Sequence, residues 1–303
     1  VNPGPLPRVS GEEDLVNITM VTRNRLALTR LCLEALAAKT AHPHRITVVD
    51  NASDDGTGEY LAGMLRDGLV DTLIRLPRNA GVAVAANLGW DAWDAPYYLK
   101  CDNDIYVQRE DWLAEMVALA KGNPEAGAVC RRFSSYLELV PRVLASGGTV
   151  DVSEDLTGGC ALIPRRTHRL LGYWNEDYGL YGSEDTDYGI RCLLSGLVVA
   201  YLPDRPDRPG TPRAAMHLGD ADSLFDRGYQ EFKTARRDVQ WAASGLYRIN
   251  LGMYERGERP LRVERKFLPE RRGDGSYVFR PNPDYKPIIA RQNILRRLAK
   301  APG

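Results

Sequence analysis

The sequence lacks any apolar run approaching the roughly 18 to 20 residues that a membrane-spanning helix needs. Its opening, Val1 to Glu13, is rich in proline and glycine and has no apolar signal-peptide core, so a soluble, unexported, cytoplasmic protein is expected. Cysteine is sparse. Cys32, Cys101, Cys130, Cys160 and Cys192 are scattered, odd in number and never spaced CxxC, which argues against a disulfide framework or a cysteine zinc site. Reduced, mostly buried thiols are expected instead. Internal repeats are absent, and so is net charge, since 40 Lys and Arg balance 40 Asp and Glu over 303 residues. The balance hides an asymmetry: from Asp226 onward there are 18 basic and 9 acidic residues, against 22 and 31 before it. An acidic body disfavours nucleic acid as a partner for its cleft, while the basic tail is suited to phosphates, a membrane surface or the acidic body itself.

What is present is an alternation of periods. Leu15 to Val21 reads as a strand, and Leu26 to Ala38 as a helix whose Leu28, Leu31, Cys32, Ala35 and Leu36 share a face. Ile46 to Val49 reads as a strand ending at Asp50, followed by the turn formers Asn51 to Gly58 and a helix with Tyr60, Leu61, Met64 and Leu65. Thr72 to Leu76, Val82 to Trp93, Tyr97 to Lys100 and Trp112 to Ala120 continue the rhythm. The pattern predicts an α/β fold with a Rossmann-like, mostly parallel sheet flanked by helices, and ligands at the carboxyl ends of the strands. Thr22 to Asn24, Asp50 with Asn51, Asn79 to Gly81, and Asp102 to Asp104 should therefore converge on one crevice. Beyond lie a strand at Cys160 to Pro164, a helix after Ser183 stopped by Gly196, a proline-rich loop at Pro203 to Pro212, and helices at Glu231 to Tyr247 and Ile288 to Leu298. Residues 1–14 read as a flexible segment, 15–225 as the main domain and 226–303 as a basic, mainly helical extension.

Several groups could carry chemistry. Asp102 and Asp104 alternate on an extended segment and can approach one oxygen-preferring cation, Mg2+ or Mn2+; a plain turn is the other use of Asp-Asn-Asp. Glu184 and Asp185 follow Ser183, where acids are also favourable simply as the first turn of a capped helix. Arg191 should pair with an acid of that helix. Gly158-Gly159 fits a strand-entry turn as well as a close approach to ligand. Arg131-Arg132 could neutralise a charged ligand or form a solvated pair. His42, His44 and His168 read as surface residues, and His217 as either a structural residue or a ligand.

The motifs Thr19-Met20-Val21-Thr22-Arg23-Asn24-Arg25, Val48-Val49-Asp50-Asn51-Ala52-Ser53-Asp54-Asp55-Gly56-Thr57, Asn79-Ala80-Gly81 through Asn87-Leu88-Gly89, and Asp102-Asn103-Asp104 together resemble a family 2 glycosyltransferase of the GT-A fold, over about Val16 to Leu218. The resemblance implies transfer of a sugar from a nucleoside diphosphate sugar (UDP, GDP or dTDP) to an acceptor hydroxyl, with inversion and a divalent cation, Mn2+ or Mg2+. It implies that Thr22, Arg23, Asp50 and Asn51 line the nucleoside pocket, and that Asn79, Gly81 and Asn87 cover the ribose and diphosphate. Asp102 and Asn103 would lie on the sugar side, with Gly159 close to the donor sugar. Asp104 would hold the metal, with His217 as a further ligand or diphosphate contact. Asp185, with Glu184 as second candidate, would be the base. Separately from the resemblance, Trp174 is a candidate acceptor contact because aromatic faces stack on sugar rings, core packing being the commoner use of such residues. A Thr-Arg-Asn run stands where the family often has an aromatic-Asn pair.

Two rivals were weighed. A sugar-phosphate nucleotidyltransferase would open on a Gly-rich loop, and Thr22 to Leu28 contains no glycine. A noncatalytic nucleotide- or partner-binding protein of the same fold would not need Asp102, Asp104 and the Glu184-Asp185 pair. In the extension, Arg265-Lys266-Phe267 and Arg296-Arg297-Leu298 are compatible with peripheral contact at a membrane, suiting a lipid-linked acceptor, and the segment is also compatible with a homo-oligomer.

Overall fold

The computed structural model describes residues 12–132, 138–202, 214–218, 237–273 and 277–285. The first half alternates as expected: β1 (Val16–Thr22), α1 (Leu26–Lys39), β2 (His44–Asp50), α2 (Thr57–Arg66), β3 (Thr72–Arg75), α3 (Val82–Ala92) and β4 (Tyr97–Asp102). Next come β5 (Ile105–Val107), α4 (Trp112–Gly122), β6 (Ala126–Arg131), β7 (Val140–Val143), β8 (Thr149–Ser153), β9 (Cys160–Pro164), α5 (Arg165–Leu171), α6 (Glu184–Leu194) and β10 (Val198–Leu202). The described chain ends with β11 (Ala215–His217), α7 (Arg237–Glu255), β12 (Phe267–Arg271) and β13 (Tyr277–Pro281).

Nine strands form one sheet in the order β3-β2-β1-β4-β9-β6-β10-β8-β7. Only β9 and β8 run against their neighbours, so the sheet is mostly parallel. Its register explains the crevice. Thr22 lies opposite Asp50, Val21 opposite Asp102 and Asp50 opposite Arg75, so four strands end level and deliver their polar loops to one edge. On one face the core packs Ile18, Leu33, Leu36 and Trp112. On the other it packs Trp90, Tyr98, Trp174 and Tyr188.

Helix α3 buries every residue from Ala83 to Trp90. Its small residues permit this: a Cβ on Gly89 would fall 2.1 Å from Thr19 Cγ2 on β1. The Asn17 side chain satisfies the end of α3 by donating to the carbonyls of Gly89 and Trp90 at 3.0 and 3.1 Å.

Some expectations need correction. Leu31 is 40% exposed while Leu33 is buried, because α1 turns the stripe Leu28, Cys32, Leu33 and Leu36 to the sheet. His44 is buried and the His168 ring packs edge-on against Trp90 and Tyr173, so neither is a surface group. Arg131 is buried, held by the Trp112 carbonyl and Glu115, and is no solvated pair with Arg132. All five cysteines are buried and none is in a disulfide. The helix expected at Glu231 to Tyr247 is described from Arg237 to Glu255, and a hairpin of β12 and β13, which is not among the expected elements, follows it. Arg265 and Lys266 face Asp91, Glu176 and Asp177 of the body rather than forming a solvated basic patch. Most of the segment 1–14, the loop Pro203 to Pro212, and the Ile288 to Leu298 helix with its Arg296-Arg297 pair lie outside the described residues. Among the described residues no helix is long and apolar enough to cross a membrane.

The helix that carries the acid pair is anchored by a buried charge. Asp187 Oδ2 accepts from Arg191 Nε at 2.7 Å, and its Oδ1 accepts from the hydroxyls of Tyr178 and Tyr254 at 2.8 and 3.0 Å. Removing one partner of a buried pair leaves an uncompensated charge. Arg191→Leu is therefore expected to lower stability by about 3–5 kcal/mol, read as a fall in the urea midpoint.

Candidate active site

One cavity of about 640 Å³ opens at the level strand ends. Its wall includes Arg23 and Arg25 after β1, Asn51 after β2, Asn79 and Val82 at α3, and Asp102, Asn103 and Asp104 after β4. Also in the wall are Val21, Asn24, Lys100, Gly158, the segment Leu180 to Asp185, and Gln240 from α7. Loops that are distant in sequence meet here because the sheet register leaves them no other end at which to emerge.

The loops are held by their own polar groups. Asn51 Oδ1 accepts from the Ala80 amide at 2.8 Å and its Nδ2 donates to the Gly81 carbonyl at 3.3 Å, joining the second and third loops. Asn103 Nδ2 donates to Thr22 Oγ1 and Thr29 Oγ1 at 3.1 and 2.9 Å, joining the fourth loop to the first. The non-glycine residues with positive φ among those described are Asn24, Arg25, Ala52 and Ser183, at 57° to 65°, and all four lie on cavity loops. Such backbone costs of the order of 1–3 kcal/mol each and gathers where a site needs fixed geometry. Ser183 consequently does not act as the expected cap, for its side chain makes no cap hydrogen bond.

The charges are interlocked. Lys100, buried within β4, donates to Asp102 Oδ1 at 2.6 Å and to the Gly158 carbonyl at 2.7 Å. Burial works against its ammonium, but the carboxylates of Asp102, Glu184 and Asp185 outweigh it and raise its pKa. Asp104 Oδ2 pairs with Arg25 Nη1 at 3.1 Å. Across the cavity, Glu184 Oε2 accepts from the Gly182 amide at 3.0 Å and Asp185 Oδ2 from the Gly158 amide at 3.3 Å. Burial, then the adjacent Asp185 charge, pushes Glu184 up to about 7 against the pull of Lys100. Asp185 is raised as well, first by burial, with Lys100 opposing.

Of the residues singled out in the sequence, Arg23, Asn51, Asn79, Asp102, Asn103, Asp104, Glu184 and Asp185 meet in this wall. Thr22 and Asp50 are buried; Asp50 Oδ1 accepts from the Ser53 amide at 2.9 Å, and its carboxylate pairs with Arg75. Gly81 and Gly159 act through the backbone, Gly159 by accepting from the Asp102 amide at 2.8 Å. Asn87 differs from expectation: it is buried and bonded to Trp174 and Glu176, where it braces the core. Trp174 is likewise fully buried against Trp90 and Tyr188, so an indole expected to meet the acceptor is a core residue. The backbone of His217 pairs with Ile105, and the next amide, that of Leu218, donates to the Asp104 carbonyl at 2.8 Å. The His217 side chain lies outside the described groups. Among the described residues no set of three or more His, Cys, Asp and Glu gathers as a metal centre. The sequence reading missed Lys100, whose signal was a lone charge inside an apolar strand, and Gln240.

This crevice on a mostly parallel sheet is that of the GT-A glycosyltransferases. The family described as Glycosyl transferase family 2 matches residues 17–174, half of the chain, and the protein belongs to that family. An uncharacterized glycosyltransferase of Bacillus subtilis (strain 168), YwdF, is 22% identical over 233 residues, 70% of this chain and 83% of its own. A mannosyltransferase of Pyrobaculum calidifontis, PcManGT, solved with GDP-Man and Mn2+, is similar in structure with a TM-score of 0.54 at 21% identity, over 77% of this chain and 63% of that one. GalNAc-T7, solved with UDP, GalNAc and Mn2+, gives a TM-score of 0.52 at 15% identity, over 75% and 51% of the two chains. The chain thus spans less than two thirds of the length of either of these two solved structures.

Gly81 tests how tightly the third loop is closed. Its φ is 97°, and a Cβ there would fall 2.1 Å from the Gly179 carbonyl oxygen. Gly81→Ala is expected to cost at least about 1–3 kcal/mol and to expose the segment 179–183 to protease, measured by thermal unfolding and limited proteolysis.

Proposed function

We propose that the protein transfers a glycosyl group from a nucleoside diphosphate sugar to an acceptor hydroxyl with inversion, and that Asp185 is the base. The observation that carries this reading is the meeting of Asp102 and Asp104 with Glu184 and Asp185 in one cavity at the strand ends. The acceptor oxygen forms a bond to the anomeric carbon while the bond from that carbon to the diphosphate oxygen breaks. The electron pair leaves with the diphosphate, and the acceptor proton passes to the Asp185 carboxylate. Retention of all four acids favours a transferase over a binding-only relative of the same fold.

A divalent cation, Mn2+ or Mg2+, fits the donor set, because the carboxylates of Asp102 and Asp104, both on the cavity wall, are the hard oxygen ligands such ions take. The charge of the wall supports the same reading: its titratable groups are four acids and three bases, Arg23, Arg25 and Lys100. A diphosphate entering that wall needs added positive charge. When bound, such a cation supplies Lewis acidity to the departing diphosphate. Asp104 and Asp102 would hold it, with the His217 side chain as a third ligand. PcManGT with GDP-Man and GalNAc-T7 with UDP support a nucleoside diphosphate donor and leave UDP, GDP and dTDP to be compared.

The test is product detection by mass spectrometry together with release of free diphosphate from UDP-, GDP- and dTDP-sugars, with and without Mn2+. Metal-dependent release from one donor is expected, lost in Asp104→Ala and lowered about 10²- to 10⁴-fold in Asp185→Asn. No release and no nucleotide binding with any donor would overturn the assignment.

The pH dependence carries a sign. A base works ionised, and burial holds the pair above ordinary carboxylate values, with Glu184 at about 7. Activity should therefore be low in acid and rise with pH on a limb displaced above the ordinary carboxylate range. Lys100 favours the ionised forms, so Lys100→Met should move that limb to higher pH. A limb at ordinary carboxylate values, unmoved in Lys100→Met, would contradict the arrangement.

A further inference from the structure

We infer that Arg23 reads the base of the donor and that this base is guanine, so that the donor is a GDP-sugar. The inference rests on the transferase reading above and narrows it. Two of the three bases in the wall are already engaged: Arg25 by Asp104, and Lys100 by Asp102 and the Gly158 carbonyl. Among the described residues Arg23 alone of the three has no hydrogen-bond or ion-pair partner, and its Nε is buried. A buried donor left unmade is costly, so a guanidinium held this way in a cavity wall points to a ligand.

Sheet order shows which part of the donor lies there. The strands run β2, β1, β4, β9, so Asn51, Arg23 and the Asp102 to Asp104 loop follow one another, and Asp185 lies beyond them, bonded to Gly158 just before β9. With the diphosphate at Asp102 and Asp104 and the transferred sugar toward Asp185, the nucleoside must extend the other way, because sugar and nucleoside occupy opposite ends of the diphosphate. That direction is toward β1 and β2. Arg23 is fastened there on both sides. The Thr22 carbonyl accepts from the Asn51 amide at 2.8 Å, the Asn24 amide donates to Ser53 Oγ at 2.8 Å, and the Asn24 side chain exchanges hydrogen bonds with Asp54 at 2.9 Å.

The side chains left to read a base at that end are donors. The Asp50 carboxylate is buried outside the wall, accepting from the Ser53 amide and pairing with Arg75. Asn51 uses both ends of its amide on Ala80 and Gly81. Asn79 Oδ1 accepts from the Gly81 amide at 3.1 Å, which leaves its NH2 to donate. Uracil and thymine carry an imide N–H that wants an acceptor, and adenine sets an amine beside its N7. Guanine alone presents two adjacent acceptors, N7 and O6, matched to the fork of a guanidinium.

The test is calorimetry on the full chain with Mn2+ present, titrating GDP, UDP, dTDP, ADP, inosine diphosphate and 7-deaza-GDP. GDP should bind about 5- to 150-fold more tightly than UDP, dTDP and ADP. Inosine diphosphate, which keeps N7 and O6, should bind like GDP, and 7-deaza-GDP, which lacks N7, should bind more weakly. Arg23→Ala should abolish the preference, make GDP and 7-deaza-GDP equal, and leave UDP affinity unchanged. Arg23→Lys, which keeps the charge and loses the fork, should also lose the preference. A preference for UDP, dTDP or ADP in the unaltered protein would overturn the inference, as would equal binding of GDP and 7-deaza-GDP there, a comparison that needs no variant. Uniform weakening of all six nucleotides in Arg23→Ala would make Arg23 a phosphate contact and overturn it too. Failure of every nucleotide to bind the unaltered protein would instead remove the transferase reading on which it stands.

Discussion

The buried ammonium of Lys100 is the contact on which the rest of the cavity depends. Asp102, Asp104, Glu184 and Asp185 share one wall, and like charges at such range repel strongly in a partly dry cleft. Lys100 sits among them, 2.6 Å from Asp102 and 2.7 Å from the Gly158 carbonyl. The amide of that same Gly158 donates to Asp185. A short chain of three contacts thus runs from the aspartate that ends β4 to the proposed base on α6, through one residue. Glycine is required there, because a Cβ would fall 2.9 Å from Asp185 Cβ. Through Gly158, Lys100 positions the proposed base.

A network so short needs a rigid support, and the C-terminal part of the chain supplies it. Helix α6 is fixed from behind by Asp187, whose oxygens take Arg191 and the hydroxyls of Tyr178 and Tyr254, the last from α7. Asn250 of α7 donates to the Tyr178 hydroxyl at 2.9 Å. Glu176 performs the equivalent task for the hairpin: Oε1 accepts from Asn87 and Arg265, and Oε2 from the amides of Lys266 and Phe267. The charge asymmetry of the sequence thereby acquires a structural meaning. Acids of the body and bases of the extension meet at Asp91, Glu176 and Asp177, in partly or fully buried pairs that fix one docking of α7 against the cavity. Buried pairs of this kind contribute more to a unique arrangement than to net stability.

Much of this was legible in the chain itself, for identifiable reasons. The βα alternation is written in local periodicity, and a parallel sheet forces the polar residues after successive strands to one edge. The convergence of Asn51, Asn79 and Asp102 to Asp104 follows from that alone. Roles that depend on side-chain direction were not legible. Asn87 sits in a motif that the family resemblance assigns to ligand, and Trp174 is an aromatic of the kind that stacks on sugars, but each points into the core, and nothing local to either residue sets that direction. Lys100 escaped notice because a strand pattern carries no sign of what lies across the sheet. The hairpin after α7 escaped because Phe267 to Pro281 is short, interrupted by proline and glycine, and held by a distant glutamate rather than by its own periodicity.

The two acids of the pair, adjacent in sequence, are not equivalent in structure. Consecutive residues on a helix point about 100° apart, so only one can look squarely at a given point in the cavity. Glu184 is folded back on the loop, with Oε2 bonded to the amide two residues before it, and its side chain is buried. That contact closes the turn through Gly182 and Ser183, both at positive φ, and a glutamate so engaged would have to release the turn to take a proton. Asp185 is less buried, accepts a long 3.3 Å bond from Gly158, and lies on the Lys100 side of the cavity, toward Asp102. Its greater exposure and its place on the Lys100 side favour Asp185 as the proposed base, and its oxygens accept from the Thr186 amide at 2.9 Å and the Gly158 amide at 3.3 Å. Glu184 instead holds the loop on which α7 rests. Under the assignment proposed above, proton acceptance and loop closure divide between adjacent carboxylates, and the division follows from which of them the Gly182 amide holds.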